Sequence, residues 1–187
     1  MCIRDRGDTV TESTRTFNFK PFKLDEHLER LYKSFKLTRI DPQMTIEEMK
    51  KVSLELLEIN KDNYKANEDC WLVHNISRGH SITGGNPALQ VSKPTVMIYT
   101  QPMNLVLWAP FYTKGCHAVT PPTRMVPSQS LDARIKNRSR LFYTLAEIEA
   151  KLVDPDAQSV ILDIHGNVAE NKGCLLYTSP SPRDSSE

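Results

Sequence analysis

The apolar residues of this chain change period along its length, from alternation to helical spacing and back again, so neither an all-helical nor an all-strand architecture can satisfy it. Thr9 to Phe17 is rich in Thr and Val with polar alternation and predicts a strand, which Asn18-Phe-Lys-Pro21 turns back. Asp25 is a good N-cap for a helix whose Leu28, Leu31, Tyr32 and Phe35 recur at helical spacing, which leaves Arg30 off the core stripe. Thr45-Ile-Glu-Glu48 is a capping box opening a second helix, with Ile46, Met49, Val52, Leu56 and Leu57 expected on its buried face. Cys70 to Ser77 and Thr95 to Thr100 predict buried sheet strands.

The second half repeats the change of period. Leu141, Leu145, Ile148 and Leu152 recur at helical spacing and predict a helix that stops before Asp154-Pro155. Ser159 to Ile164 predicts a short strand, and Gly166 the turn that returns the chain to Val168 and Glu170. Pro121-Pro122 and Pro127, with the polar residues between them, predict an interdomain link. The glycines around Gly84-Gly85 do not make a phosphate-cradling Gly-x-Gly-x-x-Gly run, and the loop reads as a surface connection.

Composition narrows the function classes. A net charge of +1 predicts no nucleic-acid or membrane partner. No apolar run approaches the roughly 20 residues of a membrane span and nothing resembles a secretory leader, so a cytoplasmic location is expected. Of the 4 cysteines, Cys70 and Cys116 lie far apart and predict neither a zinc site nor a disulfide framework; no metal is expected.

The chemistry-bearing residues cluster in three segments. The first runs from Gly7-Asp-Thr-Val-Thr-Glu-Ser-Thr-Arg-Thr-Phe17 into Phe22-Lys-Leu-Asp-Glu-His-Leu-Glu-Arg-Leu31. The second is Asp132-Ala-Arg-Ile-Lys-Asn-Arg-Ser-Arg-Leu-Phe-Tyr143, and the third is Leu162-Asp-Ile-His-Gly-Asn-Val-Ala-Glu-Asn171. Taken singly, Lys136, Glu170 and Arg30 would be solvated surface groups. In this order and spacing they resemble the class IV, or fold type IV, aminotransferases: the branched-chain amino acid, D-amino acid and (R)-amine transaminases, with aminodeoxychorismate lyase as a cousin.

That resemblance implies an α/β (α+β) fold: a small domain over 7–121, the link over 122–131, and the opening of a large cofactor-bearing domain over 132–173. It implies pyridoxal 5'-phosphate as cofactor. Lys136 would be the catalytic lysine that bonds the cofactor aldehyde and later acts as general base and acid. Glu170 would keep the ring nitrogen protonated, and Arg30, in His27-Leu-Glu-Arg30, would hold the phosphate with its planar fork. It also implies an amino acid and a 2-oxo acid as substrates and a homodimer.

Not every polar residue is drawn into that picture. His27 reads as structural. Glu12 and Arg15 read as a cross-strand charge pair. Arg78-Gly79 resembles a strand-end pair of the D-amino acid and (R)-amine groups but is given no substrate role. Ser139, Arg140 and Leu141 stand where an Asn and a Tyr usually follow the lysine. Two other readings remain open, an aminodeoxychorismate lyase-like enzyme and an inert fragment.

The ends carry a different signal. Residues 1–6 and 174–187 back-translate into the end sequence and adapter of a transposon used to prepare sequencing libraries. Both are therefore expected to be foreign to the protein, whose authentic piece would run from Gly7 to Gly173 and be cut inside the cofactor site. Little or no transaminase activity is expected of this polypeptide by itself.

Overall fold

The computed structural model describes residues 8–65, 68–79, 93–103, 105–107 and 109–171, so the loop around Gly84-Gly85 and both adapter-like ends lie outside the described residues. Two compact units divide the chain: the first extends to Leu107 and takes in Ala133–Ser139, while the second holds the stretch ending at Asp132 and everything from Arg140 onward. The Lys136 segment thus belongs to the first unit, and the division falls earlier than Pro121-Pro122.

The first unit is a four-stranded antiparallel sheet, β2-β1-β3-β4, with two helices on one face. β1 (Thr9–Phe17) pairs with β3 (Cys70–Ser77) from Thr9 opposite Ser77 to Arg15 opposite Trp71, and β3 continues into β4 (Thr95–Pro102). At the far end β1 turns into β2 (Lys20–Pro21) through Asn18 and Phe19, both at positive φ (49° and 61°). This is the left-handed two-residue hairpin whose twist suits the flanking strands. A phenylalanine there is strained. Its N–H is held by the Asp69 carboxylate at 3.1 Å, and its ring packs edge-on against Tyr64 at 5.1 Å.

α1 (Leu24–Thr38) starts one residue ahead of Asp25, with Lys23 in the left-handed conformation at the cap. Asp25 sits inside the first turn, where its negative charge suits the helix N-terminus, and pairs with Lys50 of α2 at 2.6 Å. The expected stripe holds: Leu28, Leu31 and Phe35 are buried. α1 ends on Arg39 at φ 55°, and Arg78 stabilises that terminus by donating to the carbonyls of Thr38 and Arg39 at 2.8 and 2.7 Å while its fork grips Asp8. Arg78 is therefore a latch across the end of β3 and α1.

α2 (Ile46–Asn60) carries the expected capping box, with the Thr45 side chain accepting from Glu48 N–H and Glu48 accepting from Thr45 N–H. Its buried face is Met49, Ser53 and Leu57, and Val52 is exposed, contrary to expectation. The i, i+4 line through Met49 carries Ser53 inward, where its hydroxyl meets the buried His74 ring; Val52 falls one residue off that line. Val10, Leu28, Leu31, Met49, Cys70, Leu72 and Ile76 then close a core between the helices and the sheet.

The second unit contains the short helix α3 (Phe111–Lys114) and a three-stranded sheet, β5-β6-β7. β5 (Ala118–Val119) runs parallel to β6 (Gln158–Leu162), which pairs antiparallel with β7 (Val168–Asn171) around the expected turn at Gly166 (φ 89°). α4 (Leu141–Val153) ends, as expected, at Asp154. It buries Tyr143, Ala146 and Ala150, whereas Leu141 and Leu152 of the leucine stripe are 71% and 83% exposed. Small alanines let the helix approach β6 closely, so the narrow side packs and the wide side faces outward. Among the described residues no helix is long and apolar enough to cross a membrane.

Candidate active site

Each expected site residue is positioned by its own unit. Lys136 lies on an added rung at the edge of β1: Asn137 bridges Val10, Thr11 N–H donates to the Lys136 carbonyl at 2.9 Å, and Arg138 N–H donates to Thr9 at 2.9 Å. Ile135 packs into the core beside Val10. Lys136 is partly buried. The rung is tied to α1 as well: Lys136 N–H donates to the Ser34 hydroxyl at 3.2 Å, and that hydroxyl donates to the Arg30 carbonyl one turn earlier. Lys136 and the Arg30 turn are thus fixed to one scaffold.

Arg30 has a partner that was not expected. Glu12, fully buried, accepts from Arg30 Nε at 2.7 Å and Nη2 at 2.6 Å, and its Oε1 also lies 3.1 Å from His27 Nδ1. The expected pairing of Glu12 with Arg15 does not form, because Glu12 follows Val10 on the helix-facing side, whereas the Arg15 guanidinium lies 3.8 Å over the Phe17 ring. Burial opposes ionisation of Glu12, but the bonds from His27 and Arg30 outweigh it and bring the carboxyl down to about 2. Glu12 is therefore a fixed anion that takes one edge of the half-exposed Arg30 fork; Nη1 is engaged by no described residue.

His74, opposite Glu12 on β3, is buried with Nε2 2.8 Å from the Ser53 hydroxyl and Nδ1 without a partner among the described residues. Burial lowers its pKa to about 4, against the pull of Glu12 and with the help of His27. It is neutral at physiological pH.

In the second unit Glu170 sits on β7 opposite Ile161, and its Oε2 accepts a hydrogen bond from the Tyr143 hydroxyl of α4. The Arg140 guanidinium stands 4.5 Å over the Tyr143 ring. Burial and the Glu170 carboxylate together raise the Tyr143 pKa, with Arg140 opposing them. Sequence reasoning missed three participants: Glu12 as the partner of Arg30, Ser34 as the tether of the lysine rung, and Tyr143 as the partner of Glu170. Ser34, a polar residue on an otherwise apolar helix face, was the detectable signal; the other two contacts join residues 18 and 27 positions apart and leave none.

Comparison with known proteins bears on these segments directly. The family model for amino-transferase class IV matches residues 9–174. A putative branched-chain-amino-acid aminotransferase of Methanocaldococcus jannaschii is 33% identical over 171 residues, covering 91% of this chain and 56% of its own length. The crystal structure of the Escherichia coli branched-chain amino acid aminotransferase superposes with a TM-score of 0.75 at 23% identity, covering 92% of this chain and 57% of the enzyme. An aminotransferase from Brucella abortus, solved bound to PLP, gives a TM-score of 0.72 at 16% identity over 91% of this chain and 57% of its own. The chain thus spans a little over half the length of each, and its two units have the fold type IV architecture over that span. From residue 9 to residue 174, this chain belongs to the class IV aminotransferases.

Proposed function

We propose that the protein of which this chain is part is a cytoplasmic, pyridoxal-phosphate-dependent aminotransferase that passes an amino group from a branched-chain or D-amino acid-like donor to a 2-oxo acid. The observation that carries this reading is the seating of the Lys136 rung on β1, with its N–H tied through Ser34 to the Arg30 turn. The donor set fits the cofactor group by group: an amine for its aldehyde in Lys136, a guanidinium for its phosphate in Arg30, a carboxylate for its ring nitrogen in Glu170. Bound pyridoxal phosphate supplies an electron-accepting ring that lets a proton leave the substrate carbon. Lys136 carries that proton through Nζ, as base and then as acid. Arg30 would hold the phosphate with the edge that Glu12 leaves available. Glu170 would keep the ring nitrogen protonated. The substrates are an amino acid and a 2-oxo acid, and the working form is a homodimer, in keeping with the family.

The test is covalent labelling. The chain is incubated with pyridoxal phosphate, reduced with borohydride and mapped by mass spectrometry. The expected result is a label concentrated on Lys136 and lost in Lys136→Ala. Labelling spread evenly over surface lysines, unchanged by that substitution, overturns the assignment. Transfer assays on the whole protein with leucine, D-alanine and aminodeoxychorismate then separate the branched-chain, D-amino acid and lyase chemistries.

A further inference from the structure

Within the second unit, Arg140, Tyr143 and Glu170 form a continuous stack. The Tyr143 ring is buried against Ala146 and Ile161, and its hydroxyl reaches the Glu170 carboxylate. The sheet register accounts for the meeting: Glu170 lies opposite Ile161, so both side chains leave the face that α4 covers. The Arg140 guanidinium lies 4.5 Å from the ring centroid, a cation–π contact. No other hydrogen bond to the Glu170 carboxylate comes from a described residue, and β7 pairs with β6 alone among the described strands. A glutamate on a four-residue strand would otherwise sample several rotamers.

We propose that Tyr143 is a positioning residue that fixes the Glu170 carboxylate: its hydroxyl occupies Oε2, so that Oε1 is the oxygen presented to the protonated ring nitrogen of pyridoxal phosphate, and Arg140 holds the phenol ring. This rests on the role given to Glu170 above and names the device that makes the role workable. A carboxylate that already accepts one bond in a fixed plane meets a ring N–H without reordering. The phenol is a suitable donor because its hydroxyl stays protonated between a buried ring and an anion.

Tyr143→Phe keeps the buried ring and removes the hydroxyl, so packing against Ala146 and Ile161 is retained. The first readout needs no cofactor. The phenolate absorbance of the chain is titrated with base in the parent, in Tyr143→Phe and in Glu170→Gln. The expected result is that the phenol missing from Tyr143→Phe ionises last in the parent and by at least about one pH unit earlier in Glu170→Gln. Equal titration of Tyr143 in the parent and Glu170→Gln overturns the contact. The second readout is cofactor affinity with the pH profile of the bound chromophore. Tyr143→Phe is expected to weaken pyridoxal phosphate about tenfold and to move deprotonation of the bound ring to lower pH. Normal labelling of Lys136 with unchanged affinity and profile in Tyr143→Phe overturns the positioning role alone. Absence of any label on Lys136 in the parent overturns the cofactor reading and this role together.

Discussion

Replacing Glu12 by Gln removes a charge without changing the shape of the site, and its consequence can be worked from the structure. The carboxylate is fully buried, accepts both Arg30 bonds and a backbone N–H from Ser13, and lies against His27. Its pKa is lowered from an ordinary 4.5 to about 2, a difference equivalent to about 3 kcal/mol. Because the Arg30 guanidinium is half-exposed and its charge is screened by solvent, about 2 kcal/mol is the reasonable share at neutral pH. The sign follows from the depressed folded value. The contribution is complete above about pH 4.5, where the unfolded carboxyl is already ionised, and is lost as pH falls through about 2. Glu12→Gln is therefore expected to lower the stability of the first unit by about 2 kcal/mol at neutral pH, with the gap from the parent narrowing by about 1 kcal/mol at pH 3. Amide hydrogen exchange of β1 and β3 measures the unit containing Glu12 without assuming that both units unfold together. A gap that stays constant from neutral pH to pH 3 refutes the reasoning, since it would mean that Glu12 acts through its shape and not through its charge.

Other perturbations have equally definite outcomes. His74 has a folded pKa of about 4 against 6.5 unfolded, so the stability of the first unit should fall by about 2 kcal/mol between pH 7 and pH 5, and His74→Leu should flatten that slope in the same exchange measurement. Leu28→Ala empties a fully buried position between α1 and the sheet and should cost about 2–5 kcal/mol in urea denaturation. Thr45→Ala removes one half of the capping box and should cost about 1 kcal/mol, with fraying confined to the first turn of α2 in hydrogen exchange. Leu152→Lys, at an 83% exposed position of α4, should change stability by no more than about 0.5 kcal/mol in the same denaturation measurement.

The elements that could be read before the fold are those written in local chemistry. The capping box at Thr45, the stripe of α1, the turn at Gly166 and the stop at Asp154 each depend on residues within a few positions of one another, where spacing and side-chain chemistry suffice. The face of a helix that packs is a different matter. α4 presents a leucine stripe and a narrow alanine side, and periodicity identifies both without saying which meets a partner; the alanine side did. In α2 the buried line passes through Ser53, which hydrophobicity alone would send outward, because a buried histidine on β3 waits for its hydroxyl.

The same division runs through the candidate site. The sequence by itself supplied the residues on which the proposed chemistry rests, an amine, a guanidinium and a carboxylate in a recognisable order, together with most of the helices and strands that hold them. Tertiary structure alone decided that Lys136 becomes a rung on a strand more than a hundred residues earlier, that Arg30 turns to Glu12, and that Glu170 meets Tyr143. Strand register and helix rotation set those contacts, and both are fixed by the sum of many packing interactions spread across the chain, so no local window of residues contains them.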